Sequence, residues 1–181
     1  MTARELEIVT LPLSRRRLMA AAGTLAGGAA ASVTGTGDAM GATDAEVRKL
    51  FDHRSEAFRA KDIEAVMSIY APEIVYFDLV PPLRYVGSSA LRARFSDWFG
   101  RWKSAIGQEL RDVNVVASAD VAAANMLIRT SGTLKDGRQV GYWVRTSNAC
   151  QRVNQRWLII HEHVSLPVDM KTGRGVMDLV P

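Results

Sequence analysis

The chain has 181 residues, 48% of them apolar, with 23 lysines and arginines against 19 aspartates and glutamates. That length holds one domain of the common size, about 100–150 residues, plus a shorter extra segment. A formal charge of +4 dispersed along the whole chain is no nucleic-acid-binding footprint, and the single cysteine, Cys150, excludes an internal disulfide framework.

The extra segment lies at the front. Ser14-Arg15-Arg16-Arg17-Leu18-Met19 precedes a charge-free run rich in Ala and Gly from Ala20 to Val33. A basic stretch, a short apolar region and small residues near Ala39-Met40-Gly41-Ala42 have the layout of a signal peptide over residues 1–41. The alternatives are a disordered arm or a membrane anchor. The run is shorter and richer in glycine than the roughly 20 apolar residues of a bilayer span, so no stable anchor is expected. The arginine pair resembles the twin-arginine export signal, with Leu18 in place of the more usual Phe. That resemblance implies a protein exported after folding, to the periplasm or the cell exterior.

From residue 42 the pattern is that of a folded domain, read as 42–170 with a polar tail over 171–181 that is disordered or packs on a neighbouring subunit. Thr43-Asp44-Ala45-Glu46 reads as a capping box opening a helix to about Ala60, with Val47, Leu50, Phe51 and Phe58 as its apolar stripe. Arg54 falls inside that stripe. Its guanidinium is therefore paired, lines a wet cavity, or snorkels outward from the margin. Asp62 caps a short second helix carrying Ile63, Val66, Met67 and Tyr70, closed by Pro72. Ile74 to Leu79 is then a strand ending at Val80-Pro81-Pro82, with Asp78 at its mouth on the face of Ile74 and Tyr76. Ser88 starts a third helix whose stripe, Leu91, Phe95, Trp98, Phe99 and Trp102, is core or the wall of an apolar pocket.

The remainder reads as four strands, Leu110 to Ala117, Val121 to Leu134, Gln139 to Val153 and Arg156 to Leu166, joined by short turns. Long strands on short turns give an antiparallel meander, and three amphipathic helices before it predict an α+β cone. The expected fold is a curved, mostly antiparallel sheet with three helices on its concave face. In the last strand strict alternation places Trp157, Ile159, His161, His163 and Ser165 on one face and Leu158, Ile160, Glu162 and Val164 on the other. Two histidines at that spacing are a possible metal clip, but zinc sites take three or four protein ligands and no third one is spaced to complete it, so no metal is expected.

The order of these elements, with Ala60-Lys61-Asp62-Ile63-Glu64-Ala65-Val66-Met67, Tyr70-Ala71-Pro72, Thr133-Leu134-Lys135-Asp136-Gly137 and Trp157 through Pro167, resembles the nuclear transport factor 2-like superfamily. Within it the SnoaL-like group is most similar, a group that includes polyketide cyclases and relatives of ketosteroid isomerase. The resemblance implies that Asp78 falls where the isomerases keep a proton-shuttling carboxylate and Arg54 where they keep an oxyanion-binding tyrosine. No acidic residue stands near Arg145 to Ser147, where a second oxyanion group is expected. The closing strand is also similar to that of the association domain of calmodulin-dependent kinases. That likeness makes Arg129, in Ile128-Arg129-Thr130, a candidate carboxylate anchor.

Two functions follow as expectations, both without a cofactor. In one, Asp78 moves a proton on a small carbonyl compound, Arg54 or His161 stabilises the developing oxyanion, and Tyr76 and Trp98 shape the pocket. In the other, Arg54 and Arg129, with Arg145 and His163 as further ligand-binding candidates, hold a small carboxylate without turnover. The expected partners are a small molecule and a second copy of the chain; nucleic acid is not among them.

Overall fold

The computed structural model describes residues 36–181, so the expected signal segment lies outside the described residues except for its last few positions. Three helices and eight strands follow in order: α1 (Thr36–Ala60), α2 (Ile63–Met67), β1 (Tyr70–Phe77), β2 (Tyr85–Val86), α3 (Ser88–Gly100), β3 (Gly107–Ala117), β4 (Val121–Thr133), β5 (Gln139–Val153), β6 (Arg156–Ser165), β7 (Val168–Asp169) and β8 (Arg174–Gly175). Six strands form one sheet in the order β2-β1-β6-β5-β4-β3, and β7 with β8 makes a small separate ribbon.

The sheet is mixed. β3 to β6 run as the antiparallel meander, but β1 pairs parallel to β6, so the first long strand lies beside the last. β4 alternates buried and exposed residues along most of its length, with Ala122, Ala124, Met126, Ile128 and Thr130 inward. On β5, Val144, Thr146, Asn148 and Cys150 point the same way. The helices cover this inner face. Phe58 of α1 joins them to the core, its ring 5.0 Å from Phe95 and 5.6 Å from Phe99, both edge-on.

Three local expectations are corrected. α1 begins at Thr36, so Thr43 lies within the helix and is not its cap; Glu46 instead reaches across to Arg152 and accepts from Trp157 Nε1 at 3.1 Å. Pro72 lies inside β1 rather than closing α2, at a register shift between Tyr70 and Val75 where the β6 ladder is interrupted. The tail beyond residue 170 pairs back as β8 and sends Met177 to the cavity wall. The Asp62 cap is as read, with Oδ1 accepting from Ala65 N at 3.0 Å.

The final strand departs from strict alternation. The register steps by one between Ala149↔His161 and Cys150↔Ile159, leaving Ile160 as an extra residue, a β-bulge. Above the bulge Trp157 and Ile159 face inward; below it Glu162 and Val164 do, while His161 and His163 turn outward. One inserted residue thus moves both histidines off the face that Trp157 occupies.

Candidate active site

A cavity of about 640 Å³ opens among the inner sheet face, α1 and α3. Its walls are mostly apolar in area, with Phe58, Phe95, Trp98, Ile128 and Val144 prominent, and its charged groups are Arg54, Asp78, Arg94, Asp97 and Arg101. That is the usual make-up of a small-molecule pocket.

At one wall stands Arg54, 5% exposed. Its Nη2 donates to Glu162 Oε1 at 2.7 Å, and its Nε donates to the Tyr70 hydroxyl at 3.0 Å. Tyr70 in turn donates to Glu162 Oε2 at 2.7 Å, so the carboxylate is held on both oxygens. Glu162 has no exposed surface at all. A carboxylate that deep must be matched by a cation, and Arg54 supplies it. Burial opposes the guanidinium charge, yet Glu162 with Tyr70 and Tyr76 around it holds the Arg54 pKa above its ordinary value. Burial and the neighbouring Glu162 push the Tyr70 and Tyr76 phenols well above theirs, so both are neutral donors.

One guanidinium nitrogen remains. Arg54 Nη1 is shielded from solvent and has no hydrogen-bond partner among the described residues. The guanidinium carbon lies 4.4 Å from the centre of the Phe58 ring, another wall of the cavity. A buried charged donor left unpaired is a built-in preference for an acceptor atom.

Asp78, just past the end of β1, also lines the cavity. Its Oδ2 accepts from Arg94 Nε on α3 at 2.7 Å and its Oδ1 from the Leu79 backbone N–H at 2.6 Å. The cation paired with Asp78 is thus Arg94. The side chains of this pair are 15% and 6% exposed, which places them between buried and rim positions.

Of the eight candidates, Arg54, Tyr76, Asp78 and Trp98 line this one cavity. The other four are corrected. Arg129, Arg145 and His163 are exposed on the opposite face of the sheet, where the alternation of β4 and β5 and the bulge in β6 put them. His161 shares that outer side; its Nδ1 lies 2.8 Å from Val75 O and its ring meets Phe77 edge-on at 4.9 Å. No ligand in the cavity is met by Arg54 and Arg129 together, because the sheet stands between them.

Sequence reasoning overlooked Glu162, Tyr70 and Arg94. Arg94 carried a signal, since it falls three residues after Leu91 and four before Trp98, inside the apolar stripe of α3 as Arg54 is inside that of α1. Glu162 carried only the hint of being the charged residue on the opposite face from the histidines.

Residues 47–169 match the SnoaL-like domain family. Among solved structures, an NTF2-like protein of unknown function from Pseudomonas putida KT2440 is 32% identical over 78% of this chain and 98% of its own, with a TM-score of 0.72. A nuclear transport factor 2 superfamily protein from Salmonella enterica (18% identical, 75% and 99% covered, TM-score 0.65) and a ketosteroid isomerase-like protein from Erwinia carotovora atroseptica (21%, 67% and 94%, TM-score 0.59) share the fold. No curated protein matches the chain. With the family match over most of the domain and the three-helix, six-strand sheet that carries it, the chain belongs to the SnoaL-like family of the NTF2-like superfamily.

Proposed function

We propose that the cavity binds a small, mostly apolar carbonyl compound and moves a proton on it without a cofactor. The observation that carries this is a carboxylate, Asp78, and an unpartnered buried cationic donor, Arg54 Nη1, belonging to residues that line one apolar cavity. Tyr76 stands within electrostatic reach of both, since Asp78 and Arg54 each act on its phenol. In this reading Asp78 takes a proton from the carbon next to the carbonyl, and the C–H electron pair moves toward the oxygen to form an enolate. Arg54 Nη1 donates to that oxygen as its charge grows, and Asp78 returns the proton to the same carbon, or to the γ-carbon where the compound is a β,γ-unsaturated ketone and the enolate is conjugated.

The direct test follows α-proton exchange of cyclic ketones such as tetralone in D₂O by NMR. Asp78→Asn is expected to slow exchange at least ~100-fold, the usual contribution of a positioned base, with the circular dichroism spectrum unchanged. Exchange at the original rate in that variant would remove Asp78 from the mechanism.

A second reading, binding without turnover, is favoured by the engagement of both Asp78 oxygens, by Leu79 N–H and by Arg94. It expects ligands that stabilise the protein and are recovered unchanged by mass spectrometry. Either reading includes export, supported by the Arg15-Arg16-Arg17 stretch and the charge-free run after it, and tested by cell fractionation. Either also includes a second copy against the outer sheet face, where the small residues Ala123 and Ala149, and Asn125 and Ser147, are paired in register. Sedimentation of the wild type against Asn125→Arg tests that pairing.

A further inference from the structure

The cavity opens toward one end of the sheet. β1 and β6 run parallel and both finish there, β4 finishes there and β5 starts there, so Val80, Leu166, Leu134 and Val140 all contribute to its walls from that end. Two segments leave the sheet here, the loop between β1 and β2 and the tail that follows β6. Both line the cavity, the loop through Val80 and Pro81 and the tail through Met177.

Most of the large apolar side chains exposed among the described residues stand on these two segments: Val80 and Leu83 on the loop, Met170, Met177, Leu179 and Val180 on the tail. Leu83, Met170 and Val180 are 96%, 90% and 81% exposed, so they project as tips and are not parts of a packed face. At the opposite end of the sheet Val116, Val121 and Val153 are all less exposed than these three. Both segments are tied down, the Tyr85 hydroxyl donating to Pro81 O at 3.2 Å and Val176 N to Pro167 O at 2.8 Å. Tips held in this way cost less to order on binding.

The charge around the tips is one-sided. Arg84 on the loop, Lys171 and Arg174 on the tail, and Lys103 and Lys135 beside the bridge between Trp102 and Leu134 are all exposed. None of them has a carboxylate partner among the described residues. Asp97 and Asp136, at the same end, are taken up by Arg101 and Arg138. Asp169 and Asp178 remain, and Asp169 Oδ1 accepts from the Lys171 backbone N–H at 2.8 Å. Cations thus outnumber the free carboxylates.

Separate apolar tips among unpaired cations do not make the contiguous patch that a folded partner buries. They suit a surface that is fluid, negatively charged at its boundary and apolar beneath. We propose that this end of the domain docks on an anionic lipid bilayer, with Leu83 and residues 177–180 reaching below the headgroups and the unpaired cations lying among the lipid phosphates. Docking requires no chemistry in the cavity, and it sets the opening against the phase in which apolar molecules collect.

The test uses the full-length chain with a polarity-sensitive dye on one introduced thiol, Leu83→Cys in one preparation and Val121→Cys in another. The native Cys150 is 1% exposed and does not compete for the dye. Vesicles of phosphatidylglycerol and phosphatidylcholine at about 1:2 are compared with phosphatidylcholine alone. The dye at position 83 is expected to shift to the blue with the anionic vesicles, and the dye at position 121, at the other end of the sheet, to stay as in buffer. Attachment through any other part of the chain moves neither. In co-sedimentation, Lys171→Glu combined with Arg174→Glu is expected to weaken binding to the anionic vesicles at least about tenfold, with the circular dichroism spectrum unchanged. No shift at position 83, an equal shift at both positions, or unchanged binding in the charge-reversed variant overturns the proposal. So does a shift at position 83 that needs no lipid and grows with protein concentration, because a second copy then covers the tips.

Discussion

The arginines on the two sides of the sheet, one on the helix that covers its inner face and two on its outer face, have opposite fates. On the inner face Arg54 is fixed by Glu162 and Tyr70, beyond the reach of solvent and with one donor nitrogen to spare. On the outer face Arg129 and Arg145 stand exposed, and the only ring-stacked guanidinium there belongs, among the described residues, to Arg111 over Trp143. The residue type is the same, so the type says little about chemistry. Position relative to the sheet decides whether a guanidinium is a solvated surface group or a preorganised donor, and desolvation makes the second far more sensitive to its partners.

The most disruptive way to test that contrast is to delete Ile160. Removing the extra residue restores strict alternation, so the strand must expel either Glu162 or Trp157 and Ile159 from the inner face. Loss of at least about 4 kcal/mol, on the scale of a broken buried ion pair, is expected in denaturant unfolding. A deletion variant with the original midpoint would show that the bulge sets no face. Next comes Glu162→Gln, which leaves the Arg54 charge uncompensated and is expected to cost about 3–5 kcal/mol. Arg54→Met combined with Glu162→Leu should lose much less than the two single changes together, and strict additivity would contradict the pairing.

Arg94→Ala probes the cavity rim, where the pair with Asp78 is partly exposed. A loss of about 1–3 kcal/mol is expected, together with slower proton exchange, because Asp78 loses the guanidinium that orients its carboxylate. An exchange rate identical to that of the wild type would mean that the seat Arg94 gives Asp78 plays no part in the chemistry. At the small end, Arg129→Ala and Arg145→Ala should each change stability by less than about 0.5 kcal/mol. A larger loss would show that the outer face is as constrained as the inner one.

Cys150 sharpens the comparison through pH. It lies inward on β5, and burial pushes its thiol up to about 12 from an ordinary value near 9, with Glu162 adding to the rise. A folded-state pKa above the unfolded one favours the protonated native form. Its contribution is complete below about pH 9 and is lost as pH rises from there through 12. Chemical denaturation over that window should show falling stability, with a shallower slope in Cys150→Ala. The native thiol should also resist a disulfide reagent near pH 8 until the chain unfolds.

Much of the fold was legible because its strands obey simple rules. β4 and β5 run to within a residue of where alternation and the Lys135-Asp136-Gly137 turn put them. The seat of Arg54 in an apolar helical stripe allowed both an inner, paired guanidinium and one snorkelling outward, and burial against Glu162 is what decides. The outer placement of Arg129 was open to view, since it alternates with the buried Ile128 and Thr130, but a resemblance drew it toward the site instead. What could not be read was non-local. No periodicity announces a single extra residue at Ile160, and nothing near Arg54 or Asp78 in the chain names Glu162 or Arg94 as the partner.

The pairing of β1 with β6 bears on how the chain reaches this state. Arg54 and Glu162 are 108 residues apart, and the strand that brings the carboxylate is the last of the six-stranded sheet to be synthesised. Until β6 docks, the helix stripe carries a cation with no counter-charge, and an apolar face that cannot close around it. The final strand therefore acts as the latch of the fold, and a nascent chain that ends before it retains a wet, open interior.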